Sequence, residues 1–320
     1  MPDAFLFQEG KETLDYTAVA AVTGGQVVQL RDGRAGIIPT DLDAAAIGSA
    51  STEGIYTVTK SIDLYWVDGQ EVWWDHSANA AVLRPANDKD FVIGCAYGDS
   101  TAAATTGKIQ LNVQPTYLID IHSSGFQTLV VKTVVGSTTV EVPDLRVRGG
   151  SSSMYHGATS EAQKVDLIST RAFAVGSKWI VDGIVNVITN GATATSDFNI
   201  GVANATHASD ADVIAESCFL HIDGNSTKIN AESDDGTTEV AATDTTVVFT
   251  AGTPFHFLMD GRNPADIQIY INGVLVLAST VFVLTAATGP LKLLAHFEKS
   301  AQTDVGVINI DQLRVRIANE

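Results

Sequence analysis

The sequence is poor in cysteine, methionine, tryptophan and proline, with 2, 3, 4 and 8 of them among 320 residues. Cys95 and Cys218 are too few and too far apart for a disulfide scaffold, so two buried, reduced thiols are expected. Positive charge is scarce too: 19 Lys and Arg stand against 37 Asp and Glu, a formal net charge of −18. A chain so short of cations offers no basic stripe to phosphates, which argues against a nucleic-acid partner. The same charge is repelled by anionic lipid. No apolar run approaches the ~20 residues of a membrane-spanning helix. The opening "MPDAFLFQEG" has neither the basic start nor the apolar stretch of an export signal, so synthesis in a cytoplasm without export is expected.

What the chain does have is β-structure. Hydrophobic residues make up 45% and charged residues 18%, the balance of a folded protein. Its length suggests two domains, each able to bury a core. Short segments rich in Val, Ile, Thr, Phe and Tyr recur between Gly, Asn, Asp and Ser. They include "QVVQL" (26–30), "GIYTVTK" (54–60), "EVWWD" (71–75), "KIQLNV" (108–113), "TLVVKTVV" (128–135) and "TTVEV" (138–142). Further along come "WIVDGIVNVI" (179–188), "FHFLMD" (255–260), "DIQIYI" (266–271) and "VINIDQLRVRI" (307–317). Asn272-Gly273 between two apolar runs predicts a tight hairpin, because a type I′ turn needs positive φ at both central positions. Helix is expected only as a short piece, around 40–50 or 209–216.

Punctuation divides the chain. Pro115 follows a strand-like run and ends pairing there, which puts a first domain at 1–115 and a second at 151–320. Residues 116–150 form a connector or the first strands of the second domain. The Gly/Ser-rich stretch 146–161 reads as a loop or linker. "DLRVR" (144–148) echoes "DQLRVR" (311–316), as two amphipathic strands of similar composition would.

Catalytic and metal signatures are missing. No Ser-His-Asp set stands out, and no pair of carboxylates shares one strand as glucanase chemistry requires. Glu232 and Glu239 flank "SDDGTT", a turn. His207, His221, His256 and His296 lack metal-ligand spacing and read as satisfied histidines of a sandwich. "DGN" (223–225) and "ESDDG" (232–236) are oxygen-rich, yet Asp and Asn in turns ordinarily bond their own backbone. His76 reads as a polar turn residue. No catalytic residue, metal or cofactor is therefore assigned, and the chain is not expected to be an enzyme.

Contact residues are easier to nominate. Phe5, Leu6 and Phe7 make an apolar arm ahead of the first domain, suited to pairing with a neighbouring subunit or a larger surface. Trp73 and Trp74 are adjacent in a strand and must face opposite ways. One fills the core and the other meets solvent or a partner.

The first 115 residues resemble the small β-rich capsid-decoration, or cement, proteins of tailed bacteriophages. The resemblance runs in order through Gly10-Lys11, Leu14-Asp15-Tyr16-Thr17 and Gly25-Gln26-Val27-Val28. It continues through Gly36-Ile37-Ile38, Thr40-Asp41-Leu42, Gly54 to Lys60, Val72-Trp73-Trp74-Asp75 and "FVIGCAYGDS" (91–100). It implies a small barrel-like domain on the outside of a phage head, made in the host cytoplasm, with the major capsid protein as partner and a homotrimer as assembly. The chain then continues well beyond the length typical of that family. Residues 155–320 resemble a concanavalin-like lectin or glucanase jelly roll, on "KWIVDGIVNVITNGATATSDFNIGVAN" (178–204), "FLHIDGNSTKINAESDDGTTEV" (219–240) and "PFHFLMDGRNPADIQIYINGVLVL" (254–277), with "GVINIDQLRVRI" (306–317) closing the chain. That likeness implies a β-sandwich whose last strand returns beside the first, with host-surface glycans as possible ligands. All-β is thus the expected class: a small barrel-like domain, then a sandwich. Capsid decoration is the leading functional reading, and a glycan-binding adhesin or receptor-binding virion protein is the alternative.

Overall fold

The computed structural model describes residues 4–9, 13–120, 130–137, 139–141 and 151–318. The chain is all-β and divides into two compact units, Met1–Thr116 with Asn272–Val274, and Tyr117–Ile271 with Leu275–Glu320.

Among the described residues the first unit holds ten strands: β1 (Ala4–Glu9), β2 (Thr13–Thr17), β3 (Val27–Gln29), β4 (Ala35–Ile37), β5 (Ile47–Ser51), β6 (Gly54–Thr59), β7 (Glu71–Asp75), β8 (Ala80–Val82), β9 (Phe91–Ala96) and β10 (Thr106–Leu111). They form an antiparallel sheet ordered β1-β6-β10-β9-β7-β8 and a smaller one ordered β2-β5-β4-β3. A bridge from Lys60 to Ala81 and the Ser61 N–H donated to the Ala81 carbonyl bring β6 beside β8, curling the larger sheet towards closure. Inside lie Tyr56, Val58, Trp66, Trp74, Phe91, Ile93 and Ile109. Full burial of each large apolar side chain contributes roughly 1.5–3 kcal/mol. Lys60 is buried with them, its ammonium donating to the carbonyls of Leu64 and Thr101.

Among the described residues the second unit is a sandwich of fifteen strands: β11 (Ile119–Asp120), β12 (Val130–Val135), β13 (Thr139–Glu141), β14 (Ser152–His156), β15 (Glu161–Ser169), β16 (Trp179–Asn190), β17 (Ser196–Ala203), β18 (Ser217–Asp223), β19 (Lys228–Asp234), β20 (Glu239–Val248), β21 (Phe255–Gly261), β22 (Gln268–Ile271), β23 (Val274–Val276), β24 (Lys292–Gln302) and β25 (Gly306–Ile317). One sheet runs β13-β14-β25-β16-β21-β22-β23, with β11 also paired to β25, and the other runs β12-β15-β24-β17-β18-β19-β20. The inward faces share one core, including Trp179, Phe198, Phe257, Phe282 and Phe297. The last strand, β25, does return beside the unit's earliest strands, β11 and β14. The β22–β23 hairpin turns at Asn272 (φ 50°) and Gly273 (φ 79°), the left-handed pair that a type I′ turn needs. Both cysteines are buried and neither forms a disulfide.

Two sequence expectations, a helix over 40–50 and a linker over 146–161, are corrected, and a third, a short helix around 209–216, is met in part. No helix forms over 40–50: Val22 bridges Leu42, Ala45 takes φ 66° and Ile47–Ser51 is a strand. A left-handed residue breaks a helix, and pairing across to β2 and β4 supplies the backbone bonds instead. Around 209–216 only a single 3-10 turn forms, Ala211–Val213, capped by the Asp210 carboxylate accepting from the Asp212 N–H. The supposed linker 146–161 contains β14, whose alternation buries Met154 in the core. The stretch 142–150, with Gly149 and the "DLRVR" echo, lies outside the described residues.

Candidate functional site

Four strands of the second unit carry a polar pair at i and i+2 within otherwise apolar runs: Lys164 and Asp166 on β15, His296 and Glu298 on β24, Asp197 and Asn199 on β17, and His221 and Asp223 on β18. A two-residue spacing puts both members on one face. The register aligns them across the sheet. Lys164 stands opposite Glu298, Glu298 opposite Asp197, and Asp197 opposite Asp223. In the next row Asp166 faces His296, His296 faces Asn199, Asn199 faces His221, and His221 faces Asn230. The alternate residues, Val165, Leu167, Phe198, Ile200, Leu220, Ile222, Ala295 and Phe297, fill the sandwich core. The polar rows therefore occupy the outer face. The β17–β18 segment crosses part of that face, where Ala211 and Ile214 pack on Ile168, Ala203, Phe219 and Leu294.

Two histidine–carboxylate groups result. His296 is fully buried, with Nδ1 2.6 Å from Asp166 Oδ1 and Nε2 3.0 Å from Glu298 Oε2. Lys164 Nζ holds the other Asp166 oxygen at 2.8 Å and donates to the His207 carbonyl at 2.6 Å. Burial works against the charged His296 ring, but bonds to Asp166 and Glu298 outweigh it and raise its pKa. An imidazolium between two carboxylates thus ties β15 to β24.

The second group centres on His221. Its Nδ1 lies 3.0 Å from Asp212 Oδ1 and its Nε2 3.0 Å from Asp223 Oδ1. Asn199, itself buried, donates Nδ2 to Asp212 Oδ1 at 2.7 Å and Glu232 Oε1 at 2.8 Å. Asn230 Nδ2 donates to Asp223 Oδ2 at 3.2 Å. Burial opposes the His221 charge, yet the hydrogen bonds and charges of Asp212 and Glu232 push the ring up to about 12. Burial raises Asp197 to about 7, helped by the negative charges of Asp223, Asp212 and Glu298 and opposed by His221. Burial likewise raises Glu232. Asp212 is also desolvated, but the His221 bond and charge hold it below the usual carboxylate range. The donor atoms of Asp197, His221 and Asp223 lie within 4.8 Å of one another, as do those of Asp212, His221 and Glu232.

Sequence reasoning placed His221 and His296 as satisfied histidines, and each has its hydrogen-bond partners. It missed the assembly around them, whose signal was the repeated i, i+2 polar pair. Glu232 and Glu239 stand on different strands, β19 and β20. Asp234 and Asp235 of the oxygen-rich turn accept from the N–H groups of Gly236, Thr237 and Thr238, as turn residues do.

The nominated contact residues lie in the first unit. Trp74 is fully buried in its core, whereas Trp73 is half-buried with Nε1 donating to Glu71 Oε1 at 3.0 Å. The backbone of β1 pairs with β6 of the same chain, Phe5 opposite Thr57 and Leu6 opposite Tyr56, with an irregularity before Gln8. The side-chain surroundings of Phe5, Leu6 and Phe7 lie outside the described residues. Val19, Ile47 and Ile62 are exposed apolar side chains that the sequence did not single out.

Residues 7–111 match the family model described as phage cement protein. No curated protein matches the chain. Among solved structures, one described with the endo-acting O-glycanases that prominent members of the human gut microbiota express to initiate mucin breakdown is similar, at 11% identity and a TM-score of 0.46, over 64% of this chain and 100% of that one. A protein of unknown function from Shewanella oneidensis MR-1 is similar at 10% identity and TM-score 0.42, over 64% of this chain and 85% of its own. The carbohydrate recognition domain of Emp47p is similar at 9% identity and TM-score 0.39, over 58% of this chain and 88% of its own.

Proposed function

We propose that the chain decorates the outer surface of a tailed-phage head, its first unit binding the major capsid protein and stabilising the shell, its second unit displayed to the medium. The single observation that carries this reading is the match of residues 7–111 to phage cement proteins. Physical features of the first unit support it. Trp73 is only part-buried, and Val19, Ile47 and Ile62 present apolar surface, the material from which contact hot spots are made. Among the described residues strand β1 ends its sheet, and an edge strand offers backbone groups to a neighbour. Assembly as a homotrimer follows the cement reading, and so does a binding role without catalysis. Residues 117–320 hold 12 Lys and Arg against 22 Asp and Glu, a formal charge of −10, which keeps the displayed part away from acidic surfaces.

The experiment is pelleting with heads stripped of the protein. Full-length chain and residues 1–116 are expected to co-sediment with the heads and raise their resistance to heat. Residues 117–320 are expected to stay in the supernatant. Binding that follows residues 117–320 overturns the division of roles, and no binding by the full chain overturns the decoration reading. A glycan array probed with the full chain decides the adhesin alternative separately.

A further inference from the structure

The His221 group has an arrangement that hydrogen bonding among its members leaves unexplained. Asp197 stands directly opposite Asp223 on one neighbouring strand and Glu298 on the other, and like charges directly opposite across strands are destabilising. Its Oδ1 is buried and has no hydrogen-bond partner, which costs free energy unless something else meets it. Asp223 Oδ1 and His221 Nε2 lie 3.0 Å apart, and the donor atoms of Asp197, His221 and Asp223 are mutually within 4.8 Å. Tetrahedral ligands held at about 2.0–2.2 Å from one ion stand roughly 3.3–3.6 Å apart, a little wider than the His221–Asp223 pair and inside the 4.8 Å span of the three donors.

We propose that Asp197, His221 and Asp223 bind a divalent first-row metal ion, Zn2+ fitting the donor set best. One imidazole nitrogen and two carboxylate oxygens make three protein ligands, leaving a position for water. The surroundings are those of a metal-ligating histidine, in which the second ring nitrogen donates to a carboxylate that fixes its orientation. Here His221 Nδ1 meets Asp212 Oδ1 at 3.0 Å, and Asn199 Nδ2 steadies that carboxylate at 2.7 Å. Asn230 Nδ2 does the same for Asp223 Oδ2 at 3.2 Å. The Asp223 side chain is 44% exposed, so an ion can enter from solvent. On binding, the Nε2 lone pair forms the metal bond and the Nε2 proton leaves to solvent. The two positive charges then stand between the opposed carboxylates, and His221 remains neutral with its Nδ1–H on Asp212. The inference is independent of capsid binding, since all its residues lie in the second unit.

The test uses untagged full-length chain, stripped with a chelator and titrated with Zn2+ by calorimetry, with Mg2+ as control. One Zn2+ per chain is expected, with proton release visible as a dependence of the heat on buffer, and weaker binding in acid. Asp197→Asn and Asp223→Asn should each weaken binding at least about tenfold, and Glu239→Gln, on β20 and separated from β18 by β19, should leave it unchanged. Absence of saturable Zn2+ binding, or binding that neither aspartate variant alters, overturns the proposal. Should the variants fail to fold, imidazole resonances of the wild-type chain decide. A Zn2+-induced change at His221 supports the site, and changes at the exposed His76 instead overturn it.

Discussion

The imidazole of His156 lies flat on the ring of Phe297, with centroids 3.8 Å apart and planes 10° from parallel. Its Nε2 sits 3.2 Å from the Phe297 carbonyl oxygen. Burial pushes the pKa of this histidine down to about 4, the Phe297 carbonyl acts against that shift, and the charges of Lys299 and His296 add to it. The ordinary value is about 6.5. Between the two, the unfolded chain takes up a proton that the folded chain refuses, so this residue's contribution to stability is lost as pH falls from about 6.5 towards 4. The loss amounts to about 3 kcal/mol at about 1.4 kcal/mol per pKa unit. Melting curves of wild type and His156→Phe, which keeps the stack but cannot titrate, should diverge in slope across that window. Parallel curves would refute the assignment.

The tandem tryptophans separate stability from contact. Trp74→Ala removes a fully buried side chain and is expected to destabilise the first unit by about 3–5 kcal/mol. Trp73→Ala, at a half-buried position, should cost far less stability while weakening capsid association. Denaturant melts and head-pelleting of the two variants check this. The contact reading fails if Trp73→Ala binds heads as wild type does.

Each unit seats a buried tryptophan over a glycine. A Cβ at Gly107 would run into the Trp66 ring, and one at Gly261 into the Trp179 ring. Gly107→Ala and Gly261→Ala should each cost about 1–3 kcal/mol by overpacking. Because the two rings belong to different cores, calorimetry should show each substitution lowering a different melting transition. A single transition that both lower equally would show that the units unfold as one.

Lys299 is buried, and its Nζ donates to the carbonyls of Gly157 at 2.6 Å, Thr159 at 3.0 Å, Gln302 at 2.6 Å and Asp304 at 3.1 Å. It ties the turn after β14 to the turn after β24. Lys299→Met keeps the stem but takes this donor from the carbonyls of Gly157, Gln302 and Asp304, while the Thr159 carbonyl keeps the Glu161 N–H at 2.8 Å, and a loss of about 3 kcal/mol is expected from unsatisfied buried groups. Urea unfolding should show it, together with faster amide exchange at residues 157–160 and 302–305. Unchanged exchange there would contradict the tethering role.

Much of this was written locally. Period-two alternation and β-branched composition determined that the chain is all-β and where strands such as 54–59, 179–190 and 306–317 lie. Asn272-Gly273 determined a hairpin, since few residue pairs accept positive φ twice. That one of Trp73 and Trp74 must be core followed from alternation alone. What tertiary structure decided was neighbourhood. Nothing in "TDLDAAAIGSA" tells a helix from a turn and strand, because alanine and leucine suit helix well and pairing with β2 and β4 overrode that preference. The i, i+2 polar pairs on β15, β17, β18 and β24 were legible as pairs, but their meeting was not. Asp166 reaches His296 across 130 positions, and Asp197 comes beside His221 and Asp223 only because β17 and β18 pair in one register. A shift of that register by one residue would turn the same side chains into the core. Side-chain period belongs to each strand by itself, whereas register is set by the burial of a whole sheet face, and that exists only once the sandwich has closed.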